Sequence, residues 1–327
     1  MSDLDDHKTG FLNLASMANA CGPQVNPYTS ILAEFKGHPS KLTFVVGSDD
    51  KTIHARNATT IKYIVDLVSR NPDLFVDLGS ISTPARLVFQ GDDRPTDANS
   101  ASWQRKKNYE NVCLLPDFYY TNNHGYTKFF DQGVSDWSSR RLEFYWRGST
   151  TGGFNNTLDT LDSLPRYRLC QIAARRRPVT DVAFYSVVQA APDGSEQRIE
   201  ERLREEDLLR PFADMGHFVE RKFILQVDGN GNSWELVRKL RLGSCLLIGD
   251  SDWQLWHDQF IRPWEHFVPI KRDYSDLEEI IDWCLAHDDE ARQIAENGRA
   301  YALSIDFDQE MREAAARLVT HIVSRPV

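Results

Sequence analysis

A segment at residues 146–153 combines the residue types that a phosphate-binding loop uses. It contains Arg147, Gly148, Ser149 and Thr150, and it follows an apolar run. Glycines let the backbone turn tightly and present N–H groups, hydroxyls donate, and arginine offers a rigid fork of donors. The composition therefore favours a diphosphate cradle, and it leaves open a plain Gly-Ser loop with a solvated arginine.

A second segment at residues 227–234 runs from a predicted strand into a predicted helix. Its residues after Val227 are Asp228, Gly229, Asn230, Gly231, Asn232, Ser233 and Trp234. Ser233 is a typical N-cap, and the positive end of a helix beginning at residue 234 would suit a phosphate. Lys239 follows one to two turns later. A Gly-Asn turn with a helix cap is the alternative, and neither segment matches a Walker loop or the dinucleotide fingerprint.

Other chemical signatures are weaker. Asp250 and Asp252 form an Asp-x-Asp pattern after a predicted strand, which some metal-dependent sugar transferases use, although acidic strand-end loops are common. The nine histidines include no His-x-x-x-His or His-Glu-x-x-His spacing, so no zinc site is expected. No Gly-x-Ser-x-Gly nucleophile elbow is present. These patterns therefore favour neither a zinc site nor a serine nucleophile, and the Asp-x-Asp pattern stays open as an alternative.

Short apolar runs alternate with helical patterns from about residue 40 onward, which predicts an α/β fold with parallel sheets. Predicted strands lie at residues 42–46, 74–78, 112–115, 142–146, 182–188, 223–227 and 245–248. The polar stretch at residues 131–140 is interpreted as a linker between two halves. In such sheets ligands bind outside the carboxyl ends of the strands, where both candidate segments fall.

Length and charge restrict the class of protein. The 327 residues exceed what one hydrophobic core usually supports, and 41% are hydrophobic, which excludes a disordered chain. Lys and Arg number 38 against 48 Asp and Glu, giving a net charge of −10, so nucleic acid is not an expected partner.

The five cysteines are widely spaced and odd in number, which indicates free thiols in a reducing compartment. With no signal-like or membrane-spanning run, a cytoplasmic protein is expected.

Taken in order, the motifs of residues 110–300 resemble glycosyltransferase family 90. That family includes bacterial lipopolysaccharide glycosyltransferases, fungal capsule-associated proteins and eukaryotic protein O-glucosyltransferases. The resemblance is carried by residues 144–152, 168–169, 222–223, 228–234, 239–240, 243–244, 262–270, 275–277 and 294–298. Lys239 and residues 232–234 favour the bacterial lipopolysaccharide branch, whereas Glu235 stands where many members carry a basic residue.

The resemblance implies the GT-B architecture, with two Rossmann-like domains facing an interdomain cleft. We expect an acceptor-side domain at residues 1–138, a nucleotide-sugar domain at 139–300 and a C-terminal helix at 301–327 that packs back on the first domain. Implied ligand contacts are Arg147, Gly148, Ser149, Thr150, Arg168, Asp228, Gly229, Asn230, Gly231, Asn232, Ser233, Trp234 and Lys239. Asp117, which follows Pro116 at the end of an apolar strand, is the implied catalytic base, and a strand-end aspartate that caps the next turn is the alternative.

The resemblance implies an inverting transfer from a UDP-sugar, with UDP-glucose, UDP-galactose or UDP-xylose as donor, and it implies that no metal and no cofactor is needed. The expected acceptor is a hydroxyl of a glycan or lipid-linked saccharide, reached through peripheral contact with the inner membrane face. A protein O-glycosyltransferase and a non-catalytic nucleotide-sugar-binding protein of the same fold are the alternatives.

Overall fold

The computed structural model describes residues 8–36, 42–79, 85–127 and 134–325. Its strands are β1 Lys8–Leu12, β2 Ser30–Phe35, β3 Leu42–Gly47, β4 Ala85–Gln90, β5 Ser100–Ser102, β6 Gln104–Lys106, β7 Val112–Leu114, β8 Arg141–Ser149, β9 Thr180–Ser186, β10 Arg221–Gln226, β11 Cys245–Gly249, β12 Trp253–Leu255 and β13 Val268–Ile270. Its α-helices are α1 Leu14–Cys21, α2 Ala55–Arg70, α3 Pro72–Gly79, α4 Phe118–Asn122, α5 Leu158–Leu161, α6 Pro165–Ala174, α7 Ser195–Glu205, α8 Met215–Val219, α9 Leu236–Arg241, α10 Leu277–Ala286, α11 Asp288–Ser304 and α12 Phe307–Ser324.

The chain divides into two compact units. The first unit contains residues 1–125, 253–256 and 305–327, and the second contains 126–252 and 257–304. Residues 131–133 of the predicted linker at 131–140 are outside the described part, and residues 134–140 lie in the second unit, where Trp137–Ser139 form a single 3-10 turn. The domain limits predicted from the sequence stay a prediction.

The first unit is built on a six-stranded sheet of order β1-β3-β2-β4-β5-β7. Strand β2 runs antiparallel to both of its neighbours, β3 and β4. The other pairs, β1–β3, β4–β5 and β5–β7, are parallel. The carboxyl ends of β3, β4, β5 and β7 therefore meet at one edge of the sheet, as in other α/β folds.

Helix α2 covers this sheet with the face that its periodicity predicts, since Ile61, Ile64, Val65 and Val68 are all buried. The predicted strand at residues 74–78 is wrong, because helix α3 occupies this stretch. A short apolar run does not distinguish a strand from a buried helix by itself.

The chemistry of α3 explains why a helix forms there. Pro72 begins it, and proline is favoured at the first helical position because its missing N–H needs no partner there. Phe75 and Leu78, three residues apart, are buried, whereas Val76 between them is 51% exposed. Burial therefore follows the spacing of a helix rather than the alternation of a strand.

The second unit contains a five-stranded, fully parallel sheet of order β13-β11-β10-β8-β9. Its core is apolar, and Phe144 on β8 stacks on Phe223 of β10 with ring centroids 4.3 Å apart. Counted along the chain, the strand order is 2-1-3-4-5, a doubly wound sheet whose direction of winding reverses between β8 and β10. The predicted α/β fold with two Rossmann-like units is confirmed.

Helix α12 packs within the first unit. Arg312 of α12 forms an ion pair with Asp73 of α3, with a nitrogen–oxygen distance of 2.7 Å. Arg325, just after the helix, donates to the main-chain oxygen of Glu110 at 2.8 Å. Among the described helices, none is both long and apolar enough to cross a membrane.

Candidate functional site

A cavity of about 370 Å³ lies where strands β8, β9 and β10 of the second unit end. It is lined by Trp146, Arg147, Gly148, Ser149, Arg166, Tyr185, Phe212, Ala213, Asp214, Met215, Phe218, Val227, Ser233, Glu235, Arg238 and Lys239. Because β8 and β10 flank the reversal in strand order, the cavity occupies the position at which doubly wound sheets bind their ligands. We call it the switch-point cavity.

The two segments singled out in the sequence contact each other beside this cavity. The amide of Gly152 donates to Oδ1 of Asn230 at 3.2 Å, and Gly152 has a φ of +110° that favours glycine. A β-carbon at Gly148 would overlap the indole of Trp146, so only glycine fits that position. The loop after β8 and the loop after β10 thus form one polar wall.

Arg166, in the first turn of α6, joins the two loops. Its Nε donates to the main-chain oxygen of Asp228 at 2.7 Å, and its Nη1 donates to the oxygen of Ser149 at 3.0 Å and to Oγ1 of Thr151 at 2.5 Å. The guanidinium also lies over the ring of Trp146, 5.3 Å from its centroid. Burial lowers the pKa of Arg166, and the surrounding oxygens compensate for the lost hydration.

Sequence reasoning missed Arg166 and selected Arg168. Two residues apart on a helix, these side chains point in different directions. The structure leaves Arg168 exposed and, among the described residues, outside the lining of the switch-point cavity. A basic residue directly after the proline that begins a helix, next to a glycine-rich loop, was the available signal.

Arg147 lines the cavity but is not the open fork of donors that the sequence predicts. Its Nη2 lies 2.6 Å and 2.7 Å from the carboxylate oxygens of Asp181. Its Nη1 donates to the main-chain oxygens of Trp146 and Asp181, both at 3.0 Å. Nε is buried without a partner among the described residues. In this structure the terminal nitrogens of Arg147 hold β8 against β9.

Lys239 is the buried cation of the cavity. Its side chain lies on α9, the residue is 5% exposed, and Nζ donates to Oε1 of Gln226 at 2.7 Å. It forms no ion pair with a carboxylate of the described residues, and burial lowers its pKa to about 8. Nε2 of the same Gln226 donates to the main-chain oxygen of Ser233 at 2.7 Å, so one amide connects the lysine to the loop after β10.

The helix that the sequence predicts to begin at residue 234 begins two residues later in the structure. Helix α9 begins at Leu236 and has six residues, with Glu235 rather than Ser233 at the N-cap position. The prediction that Ser233 caps a phosphate-binding helix N-terminus is therefore wrong. The glycine- and asparagine-rich loop extends two residues further than its sequence suggests, and Arg238 and Lys239 follow it on α9.

The remaining predicted contacts differ in what they do. Ser149 lines the cavity, whereas Thr150 is fully buried. The hydroxyl of Thr150 donates to the main-chain oxygen of Val188 and accepts from the amide of Val188, at 2.8 Å each. Among the described residues Thr150 does not line the cavity. Within residues 228–234, the amide of Gly229 donates to the oxygen of Gly231 at 2.8 Å, which closes a tight turn.

Asp228 and Asn232 are held by side chains beyond their own loop. The hydroxyl of Ser251 donates to Oδ2 of Asp228 at 2.6 Å, and burial raises the pKa of Asp228 to about 6. Nδ2 of Asn232 donates to Oδ2 of Asp258 at 3.2 Å. These contacts fix the loop backbone, and Asn230 and Trp234 lie half-buried in it.

Two residues of the Asp-x-Asp pattern, Ser251 and Asp252, bond to other side chains. Asp252 forms an ion pair with Arg272, and Ser251 between the two acids bonds Asp228. In the described part of the chain, no group of three or more His, Cys, Asp or Glu side chains is arranged to hold a metal ion.

Asp117 lies in the first unit, three residues beyond the end of β7. It is 6% exposed, and its Oδ1 accepts a hydrogen bond of 2.9 Å from the amide of Tyr120, which makes it the N-cap of α4. The structure therefore gives Asp117 a capping contact, and its role as base stays a prediction.

A doubly wound sheet with a basic cavity at its switch point is typical of a protein that binds a phosphorylated small molecule. The chain belongs to glycosyl transferase family 90, whose family model matches residues 130–310. The matched region contains the switch-point cavity and both loops.

The chain is similar in sequence to viral and mammalian proteins and, more weakly, in structure to solved proteins. Uncharacterized protein 035R of Invertebrate iridescent virus 3 is 29% identical over 209 residues, which cover 60% of this chain and 17% of that protein. Protein O-glucosyltransferase 1 of Bos taurus is 26% identical over 172 residues, 51% of this chain and 38% of that protein. Among solved structures, Anabaena Alr3699/HepE in complex with UDP-glucose aligns with a TM-score of 0.39 and 11% identity, over 53% of this chain and 48% of that one.

The chain thus spans well under half the length of the curated relatives it matches. The closer affinity to the bacterial lipopolysaccharide branch stays a prediction.

Proposed function

We propose that this chain is a glycosyltransferase that moves a hexosyl or pentosyl group from a UDP-sugar to an acceptor hydroxyl. The switch-point cavity is the proposed donor site. The observation that carries the proposal is the position of Lys239, a buried ammonium without a carboxylate partner among the described residues, at the switch point of a parallel sheet.

The charge of the cavity supports a diphosphate ligand. With a pKa of about 8, Lys239 is protonated near neutral pH, and its only described hydrogen-bond partner is the neutral amide of Gln226. An ammonium buried in this way gains energy from an incoming anion, because the anion replaces hydration that burial removed. Arg238 and Arg147 add positive charge to the same lining, while Glu235 and Asp181 offset part of it.

The rest of the lining supports a planar base. Tyr185, Phe212, Met215 and Phe218 line the same cavity as the cations. Tyr185 and Phe212 form an edge-to-face pair with centroids 5.3 Å apart, and Phe212 is 69% exposed. Exposed aromatic rings next to a basic wall are suited to a nucleotide, which carries a flat ring and a diphosphate.

The proposed chemistry is a single displacement with inversion at the anomeric carbon. Asp117 takes the proton of the acceptor hydroxyl as its oxygen attacks, and the bond from the anomeric carbon to the diphosphate breaks. A base of this kind is worth about 10²–10⁴ in rate. The negative charge that grows on the departing diphosphate is met by Lys239 and by the loop amides, and one preorganised donor is commonly worth about 10²–10³.

We propose that the reaction needs no metal ion. The cavity supplies protein cations for the diphosphate, and Asp252 of the Asp-x-Asp pattern already pairs with Arg272.

A second proposal concerns the acceptor. The sequence favours a glycan or lipid-linked saccharide, whereas the name of the bovine relative, protein O-glucosyltransferase 1, favours a protein hydroxyl and a glucosyl donor.

The experiment is a panel of UDP-glucose, UDP-galactose and UDP-xylose, with UDP release measured with and without saccharide and peptide acceptors. We expect slow release without acceptor for one donor and faster release with the matching acceptor, with an inverted anomeric centre in the product by NMR. Tight binding with no turnover of any donor would support the non-catalytic alternative. Failure of UDP and of every donor to bind would contradict the donor site itself.

A further inference from the structure

A partly buried carboxylate of the first unit holds the short helix that follows Asp117. The hydroxyl of Tyr120 on α4 donates to Oε2 of Glu310 on α12. Tyr120 is fully buried, and a buried phenol requires such a partner for its hydroxyl. These two residues are 190 positions apart, so the bond ties α4 to a distant part of the chain.

Helix α4 depends on its neighbours for its direction, and these include Trp103, whose ring packs against Phe118 with centroids 4.8 Å apart. It contains only five residues, Phe118–Asn122, and a helix of that length is unstable by itself. Two hydrogen bonds meet at Tyr120: Asp117 accepts from its amide, and Glu310 accepts from its hydroxyl. Tyr120 therefore joins the cap residue to Glu310.

The surroundings of Tyr120 restrict it further. Its ring packs against Phe307 of α12, with centroids 5.7 Å apart. Gly125, at a φ of +66°, lies close to both rings. A β-carbon at this position would lie 3.2 Å from the Tyr120 hydroxyl and 3.1 Å from Phe307. If the Tyr120 hydroxyl loses or changes its hydrogen-bond partner, helix α4 must therefore move, because the Tyr120 ring cannot move alone.

We propose that Glu310 is a positioning residue for the transfer reaction: through the hydroxyl of Tyr120 it fixes α4, and through α4 it fixes the carboxylate of Asp117. This inference rests on the proposed function of Asp117 as the base. It assigns a role in the reaction to α12, a helix whose own side chains were not implied as ligand contacts.

The charge state of Glu310 gives this role a characteristic pH dependence. Burial raises the pKa of Glu310 to about 7, the hydrogen bonds from Tyr120 and Trp256 oppose that rise, and Glu313 on the same helix adds to it. Other ionisable groups of the packed elements are Asp117, His124, Arg70 over the ring of Phe307, and Arg317. As pH falls through about 7, Glu310 becomes neutral and its bond with Tyr120 loses the charge-assisted part.

The test compares Tyr120→Phe, Glu310→Gln and the double variant with wild type. Glu313→Gln is the matched control, because Glu313 is an exposed glutamate one turn along the same helix. Transfer rates are measured from pH 6 to 9, and the exchange of the Tyr120 amide is followed by mass spectrometry of peptides from residues 117–126. UDP affinity is measured for each variant.

We expect Tyr120→Phe and Glu310→Gln each to lower kcat about tenfold, because misplacing a catalytic group is costly. The double variant should be no slower than the slower single variant, since both changes break one bond. Glu310→Gln should also lose the acid limb of the kcat profile near pH 7 that wild type and Glu313→Gln retain. Protection of the Tyr120 amide should fall about tenfold in both single variants, with UDP affinity unchanged.

Unchanged protection in Glu310→Gln would overturn the inference, as would multiplicative losses in the double variant. Lower protection with an unchanged kcat would show that α4 is held by Glu310 without any effect on the reaction, which also overturns it. A wild-type protein that turns over no donor would instead overturn the proposed function, and with it the catalytic part of this inference, whereas the exchange data do not depend on that activity.

Discussion

The guanidinium of Arg147 and the carboxylate of Asp181 form a close pair across β8 and β9, with Nη2 lying 2.6 Å and 2.7 Å from the two carboxylate oxygens. The side chain of Arg147 is 7% exposed and that of Asp181 is 28% exposed. The pair holds the wall of the switch-point cavity and also neutralises one of its cations. Arg147 therefore contributes to the shape of the site as well as to its charge.

Replacing Arg147 and Asp181 one at a time separates the contribution of this pair to stability from its contribution to the charge of the cavity. Arg147→Ala should lower the free energy of unfolding by about 1–3 kcal/mol, because it leaves the Asp181 carboxylate unpaired, and should weaken UDP binding about tenfold. Asp181→Asn should also destabilise the protein, but it should tighten UDP binding by a few-fold because the cavity becomes more positive. Urea unfolding and calorimetry check both. Equal destabilisation with no change in UDP affinity in either variant would leave Arg147 a purely structural role.

Substitutions of Arg166 and Arg168 test which of these two arginines contributes to UDP binding. Arg166→Ala should weaken UDP binding at least about tenfold and lower stability, because three main-chain oxygens and Oγ1 of Thr151 lose a charged donor. Arg168→Ala should leave UDP affinity within about twofold, since Arg168 is exposed outside the cavity lining. Loss of UDP affinity in Arg168→Ala alone would return the ligand contact to the residue that the family resemblance implies.

The apolar runs of the sequence predicted four of the five strands in the sheet of the second unit, all except β13. Strands β8, β10 and β11 each contain a short run of buried apolar residues, at 144–146, 223–225 and 245–247, and such runs are recognisable in the sequence of a sheet that is covered on both faces. The same reasoning failed at α3, where four apolar residues among the five at 74–78 suit a strand and a buried helix equally and the flanking Pro72 decided the outcome.

The contacts within the candidate site could not be read from local sequence. Asp181 lies 34 residues from Arg147, and Gln226 lies 13 residues from Lys239, so each pairing depends on how the strands are ordered. Composition indicated the two loops correctly because glycine, asparagine and hydroxyl residues have local conformational preferences. It could not show that Asp181 occupies the donor fork of Arg147, because that requires β9 to lie beside β8.

Metal independence is tested at the Asp-x-Asp pattern. Asp250→Asn and Asp252→Asn should retain turnover within about threefold, because a surface ion pair such as that of Asp252 with Arg272 contributes little. Added EDTA should not abolish transfer. Activity that requires Mn²⁺ or Mg²⁺ and is lost in Asp252→Asn would contradict the proposed use of protein cations alone.

Asp117 has a conservative substitution that separates capping from catalysis. Asparagine is as good an N-cap as aspartate, so Asp117→Asn should keep the bond from the Tyr120 amide and leave the melting temperature nearly unchanged. It cannot accept a proton, so transfer should fall by about 10² or more at unchanged UDP affinity. The matched control is Asp117→Ala, which should be both inactive and less stable. Transfer within a few-fold of wild type in Asp117→Asn would assign the base to another carboxylate.

The stability of the ligand-free protein should reflect the burial of Lys239. Its pKa in the folded protein is about 8, below the ordinary 10.5, so the unfolded chain binds more protons between these values. Burial therefore costs stability below pH 8, and this cost disappears as pH rises toward 10.5. Lys239→Met should accordingly raise the melting temperature at neutral pH, as expected of a residue kept for binding rather than for folding.

Calorimetric titration of UDP into wild type, Lys239→Met and the exposed control Lys271→Met tests the donor site most directly. At about pH 7 we predict that Lys239→Met binds UDP about 10² times more weakly than wild type, whereas Lys271→Met binds normally. At about pH 9, where Lys239 is largely neutral, wild-type affinity should fall about tenfold and binding should take up a proton. Wild-type UDP affinity in Lys239→Met, with no pH dependence above 8, would contradict the assignment of the switch-point cavity as the diphosphate site.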